Sequence, residues 1–79
     1  MDRVEREVTA IIARALSIET AKVAPDTALE QLGLDSIDVT MIVFEIEATF
    51  NVQFPGEFDQ AALVCVGDVV RIVKKLRAH

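Results

Sequence analysis

Apolar residues recur along this chain at intervals of three and four, in four separate stretches, and nowhere alternate long enough to suggest paired strands. That periodicity constrains the fold more than any other feature, because residues spaced i, i+3, i+4, i+7 share one face of a helix but alternate across a strand. Val4, Val8, Ile11, Ile12, Ala15 and Leu16 predict a first helix over 3–16, with Asp2 as N-cap and Glu5 at capping-box spacing. Val39, Ile42, Val43, Ile46 and Phe50 predict a second over 36–50, capped by Asp35. Val66, Val69, Val70, Val73 and Leu76 predict a last helix to about Arg77. Asp68 near its start and Lys74, Lys75 and Arg77 near its end suit the helix dipole. Residues 57–63, EFDQAAL, have room for one or two more turns. The expected fold is all-α, a small three- or four-helix bundle forming a single domain over 1–79.

The first two helices are separated by a long connection, SIETAKVAPDTALEQLGLD. Pro25 stops any helix from running through it. Asp26 is placed to cap a short turn over Thr27–Leu32, and Gly33 to end that turn. Ile18, Val23, Leu29, Leu32 and Leu34 are enough anchors to hold the connection against a core. A loop this long in so small a domain is often functional, which directs attention to its end at Leu34-Asp35. A further turn is expected at NVQFPG, residues 51–56, where Pro55-Gly56 breaks the chain.

With 79 residues and only four aromatics, all Phe, the core must be built from aliphatic side chains. Each contributes about 1.5–3 kcal/mol on burial, most of it offset by chain entropy. Cys65 is the only cysteine, so no internal disulfide can form; it reads as a small buried apolar residue. The absence of a disulfide framework suits a reducing, cytoplasmic setting. MDRVEREV lacks the apolar core of a signal peptide, no stretch is apolar enough to span a membrane, and a chain from Met1 to His79 reads as a free-standing unit, expected to be monomeric.

Net charge is −5, and no basic residue lies between Lys22 and Arg71. An acidic middle repels nucleic acid and favours protein partners with basic patches. Solubility alone is the plainer account of those acids. Enzymatic chemistry is excluded on composition. The one His is terminal, no metal-ligand cluster or glycine-rich phosphate loop occurs, and no calcium-binding loop pattern is present.

The string Leu32-Gly33-Leu34-Asp35-Ser36-Ile37-Asp38 ends the long loop and opens the second helix with a serine. A hydroxyl there faces solvent beside free backbone N–H groups, a natural seat for a phosphate ester. The plainer reading is that Asp35 or Ser36 only caps the helix. The same helix carries a second apolar stripe, Ile37, Met41 and Phe44, away from its core-facing one.

LGLDSID resembles the phosphopantetheine attachment motif of acyl carrier proteins. The likeness extends over nearly the whole chain: the first amphipathic helix, the PDT turn, the acidic second helix, Phe54-Pro55 and Val66-Gly67-Asp68-Val69-Val70. It implies that a phosphopantetheinyl transferase attaches 4′-phosphopantetheine from coenzyme A to Ser36, with Asp35 helping to present it. The arm then carries acyl groups as thioesters between acyl-loading and acyl-processing enzymes of fatty-acid, polyketide or specialised lipid synthesis. The resemblance further implies that the second helix docks partners, here through Ile37, Met41 and Phe44 with Asp38, Glu45 and Glu47. It also implies that the acyl chain can shelter between helices, for which Val43, Ile46, Leu63 and Val69 are compatible. Two positions depart from the family pattern. Met41 stands where carriers of fatty-acid synthesis usually have glutamate, and Cys65 where many have a capping threonine, which points to a specialised member. Peptidyl carriers usually have Gly-Gly-x-Ser at the site, so LGLDS speaks against that branch. An aminoacyl carrier and an unmodified helical adaptor stay open.

Overall fold

The structure, a computed structural model, describes residues 2–55 and 63–77. Among the described residues, three α-helices emerge where the periodicity places them: α1 over Arg3–Leu16, α2 over Ser36–Phe50 and α3 over Val66–Arg77. α1 packs against both others. Ile11, Ile12 and Val8 from α1, Ile46 from α2 and Val66 and Val73 from α3 form the innermost layer, each essentially inaccessible to water. The core is aliphatic, with Phe54 as its one buried aromatic among the described residues. The segment 56–62, which includes most of the expected EFDQAAL turns and Gly56, lies outside the described residues; Leu63 at its end is buried.

α1 departs from its sequence pattern in one respect. Ala15 is exposed, whereas Ala13 and Thr9 are buried. The chain reverses at Ser17, in left-handed conformation (φ 56°), and the Ile18 N–H donates back to the Ala13 carbonyl. The returning segment contacts α1 through a 3-10 turn at Thr20–Lys22. A flank that carries no periodic signal is therefore used in packing. At the other end, Asp2 caps α1 by accepting from the Glu5 N–H at 2.8 Å. The Glu5 carboxylate faces Lys74, which also pairs with Asp2, so the start of α1 is tied to the end of α3.

The long connection is held by backbone bonds that no side-chain pattern announces. Its residues 25–29 run antiparallel to 64–67, with one bridge between Ala28 and Cys65. Leu29 donates to the Val64 carbonyl (2.9 Å), Val66 to Thr27 (3.0 Å) and Gly67 to Pro25 (2.7 Å). A Cβ at Gly67 would sit 3.0 Å from the Pro25 carbonyl oxygen, so a side chain there would press the two segments apart. Asp26 does not cap as expected. Thr27 takes the local role, its Oγ1 accepting from the Ala24 N–H at 3.1 Å, and the helical turn begins later, at Glu30–Leu32. Gly33 does end that turn, in left-handed conformation (φ 77°). Cys65 is half-buried rather than buried, because it lies at this bridge and not in the core.

Candidate functional site

Gly33 turns the chain out of the loop, and half-buried Leu32 and Leu34 hold the turn against the core. This leaves Asp35 extended (φ −98°, ψ −177°) immediately before α2. A complete capping box follows: Asp35 Oδ1 accepts from the Asp38 N–H at 2.9 Å, and Asp38 Oδ2 accepts from the Asp35 N–H at 3.3 Å. The two acids thus bond each other's backbone N–H groups, and Ser36, the first helical residue, is left exposed. Its hydroxyl makes no hydrogen bond among the described residues, and the Ser36 and Ile37 N–H groups are also without partners there. The Ser36 carbonyl accepts from Thr40 Oγ1 at 2.8 Å. The result is an accessible oxygen on a rigid helix end.

The two stripes of α2 separate as the spacing predicts. Ile42 and Ile46 are buried and Val39, Val43 and Phe50 are partly buried against the core. Ile37, Met41 and Phe44 are 69%, 62% and 64% exposed. These three lie within roughly 60° of arc on the outer face of the helix. The neighbouring acids have partners within the fold. Asp38 belongs to the capping box. Glu45 forms an ion pair with Arg14 of α1 (2.8 Å), and Glu47 Oε2 accepts from the Phe54 N–H (2.8 Å). The last contact fastens the segment after α2 to the helix, and no sequence spacing signals such a bond between a helical acid and a loop amide.

Beneath α2 a narrow apolar seam is lined by Ile12, Leu29, Leu34, Val43, Leu63 and Val69 among others, with about 10 Å³ free, room for roughly one water. Three of the four residues expected to shelter an acyl chain line it; Ile46 sits deeper in the core. A wider surface groove, about 840 Å³, lies elsewhere, along α1 between Arg3, Arg6 and Arg14 and near Thr49 at the far end of α2 from Ser36.

At the start of α3, Cys65 occupies the cap position without a capping side chain. Asp68 replaces that function, accepting from the Val64 N–H (3.0 Å) and the Cys65 N–H (3.1 Å) and pairing with Arg71 (2.9 Å). The Cys65 and Val64 backbone N–H groups, with help from Arg71, hold its carboxyl below the ordinary carboxylate value. Its spacing from Cys65, three residues, was the available clue. Among the described residues no cluster of His, Cys, Asp and Glu could hold a metal ion, and no helix is long and apolar enough to cross a membrane.

A small helix bundle with a long anchored loop before its second helix is the architecture that the sequence likeness implies. Comparison with known proteins agrees: residues 6–76 match the family described as "Phosphopantetheine attachment site". Acyl carrier proteins from two Helicobacter pylori strains are each 35% identical over 69 residues, covering 86% of this chain and 87% of the relative. One from a third strain is 32% identical over the same coverage. The chain belongs to the acyl carrier protein family, and it carries acyl groups through covalently attached 4′-phosphopantetheine.

Proposed function

We propose that Ser36 is the attachment residue. The observation that carries this is the exposed, unbonded hydroxyl at the first position of α2, inside LGLDSID. The residues present fit the arm: the hydroxyl is reachable, and the unpartnered Ser36 and Ile37 N–H groups offset the charge of a phosphodiester. Asp35 and Asp38 carry like charge beside it, which favours an arm extending into solvent over one folded onto the body. When bound, the arm supplies a thiol that holds acyl groups as thioesters; the chain supplies anchorage and presentation. It performs no catalysis of its own.

Asp35 fixes the helix start and presents Ser36 to a phosphopantetheinyl transferase. Ile37, Met41 and Phe44 form the apolar centre of the docking face, with Asp38, Glu45 and Glu47 on its flanks. Acyl-loading and acyl-processing enzymes bind the same face in turn, and the protein works as a monomer in the cytoplasm. Apolar anchors ringed by acids suit such transient contacts: charge speeds encounter and the patch sets register.

Intact mass after incubation with coenzyme A, Mg²⁺ and a competent transferase tests the assignment. The expected result is one added phosphopantetheine, absent in Ser36→Ala. No gain on the wild-type chain would favour an unmodified adaptor. Mass analysis of the group trapped on the arm in the source cells would name the cargo, acyl or aminoacyl.

A further inference from the structure

α2 carries no basic residue of its own, yet a cation from a neighbouring helix reaches its docking flank. Arg14, in the last turn of α1, places Nη2 2.8 Å from Glu45 Oε1. Both side chains are well exposed, 66% and 42%, so the pair adds little to stability. Its consequence is felt at the surface. Glu45 lies one residue beyond Phe44, roughly 13 Å along the helix from Ser36, so an enzyme that reaches Ser36 across Ile37, Met41 and Phe44 passes over it. Asp38 and Glu47, the other flanking acids, point their carboxylates at backbone N–H groups. Met41 in the centre adds no charge. Glu45 is thus the acid of this face whose partner is an exposed surface cation, and that cation already stands where a partner's arginine or lysine would stand.

We infer that Arg14 is a specificity-determining residue: it masks Glu45 and turns this carrier away from enzymes whose docking surface is a basic patch, in favour of enzymes that seat Ile37, Met41 and Phe44 in an apolar socket. This rests on the docking reading above and adds to it a residue outside α2. A basic partner must displace Arg14 before it gains Glu45, so it recovers only the difference between two similar ion pairs. An apolar socket faces no such competition, and its affinity comes from desolvating the three large side chains. The mask acts by selection against one class of partner.

The test uses the full chain, coenzyme A, and a heterologous phosphopantetheinyl transferase with a basic docking surface, reading kcat/KM for the mass gain at Ser36. Arg14→Gln is expected to raise kcat/KM about two- to fivefold at low salt, the range of an exposed ion pair, and the gain should shrink in 0.5 M salt. In a Glu45→Gln background, Arg14→Gln should give no gain. A purely structural role for Arg14 predicts loss or no change, and thermal melts of each variant confirm that all are folded. No gain in the single variant, or an equal gain without Glu45, overturns the inference while leaving the carrier reading intact. No modification of the wild-type chain overturns that reading, and this one with it.

Discussion

α2 and α3 both start with an acid at their third position whose carboxylate turns back onto backbone N–H groups, yet the two helix mouths face opposite environments. At α2, Asp38 and Asp35 satisfy each other's N–H groups, and the turn needs nothing from the rest of the molecule. Ser36 at its first position is exposed. At α3, Asp68 caps Val64 and Cys65, but the same segment is also zipped to residues 25–29 of the long loop. Val66, the first position there, is 1% exposed. One device, placed at two sites, yields a self-contained mouth with an exposed hydroxyl and a second mouth that locks the loop in place. The lesson is that one capping device leaves a helix N-terminus open or closed according to what packs on it.

The largest expected effect follows from exchanging the two first positions. Ser36→Ala should abolish the mass gain while shifting stability by no more than about 0.5 kcal/mol, as for other exposed substitutions. Val66→Ser should do the reverse, destabilising by about 2–4 kcal/mol through lost apolar burial and a buried hydroxyl, with that hydroxyl staying unmodified. Urea unfolding and intact mass on both variants decide the matter. Modification at position 66 in a folded variant would break the contrast.

The glycines beside the two mouths should fail for different reasons. Gly33 precedes α2 at φ 77°, and a Cβ there would meet nothing within 4 Å, so Gly33→Ala faces a dihedral penalty of about 1–2 kcal/mol and Gly33→Asn a smaller one. Gly67 has ordinary helical conformation but no space. Gly67→Ala gains up to about 1 kcal/mol in helix propensity and loses about 1–3 to crowding against Pro25, a net loss near 1 kcal/mol. Gly67→Asn should be worse than Gly67→Ala, the opposite order to position 33. The same order at both sites in denaturant titrations would mean that space and dihedral had been misassigned.

Removing the carboxylate at the open mouth should act on function before stability. Asp35→Ala costs about 0.5–2 kcal/mol as a lost N-cap, which leaves most molecules folded. The rate of Ser36 modification should fall by more than the folded fraction does, because the helix start that presents the hydroxyl frays. Equal rates per folded molecule would reduce Asp35 to a cap alone.

Much of this contrast was legible in the sequence, and what was not has a common cause. The apolar spacing placed all three helices and both stripes of α2, because side-chain periodicity reports which face is buried. Asp35 and Gly33 were readable from local chemistry. The loop zipper was not, since Pro25, Thr27 and Leu29 meet Val64, Val66 and Gly67 through main-chain atoms that every residue shares. The partners of Glu45 and Glu47 were hidden for a related reason: Arg14 and Phe54 approach from other elements, and no spacing within α2 encodes them. Thus the exposed serine at the start of α2 could be read off the chain, while the ion pair and backbone bonds that engage the acids of that helix required the fold.

The smallest effect separates the two mouths by pH. The folded-state value of Asp68 is depressed by the Cys65 N–H first and the Val64 N–H next. A depressed carboxyl stabilises the fold above its unfolded value, near 3.8, and that contribution is lost as pH falls through the lower folded value. Asp68→Asn should therefore melt slightly below the wild type at neutral pH, with the gap closing as the solution is acidified below about pH 4. Asp2, held down by the Glu5 N–H and by Lys74, titrates in the same window, so the comparison is best made in an Asp2→Asn background. The loss should appear as loosening of the loop zipper, read by faster amide exchange at Leu29, Val66 and Gly67, with Asp38 and Val39 at the other mouth unaffected. If exchange rises equally at both mouths, Asp68 supports the whole bundle, and the third helix start is not the separate lock that its contacts describe.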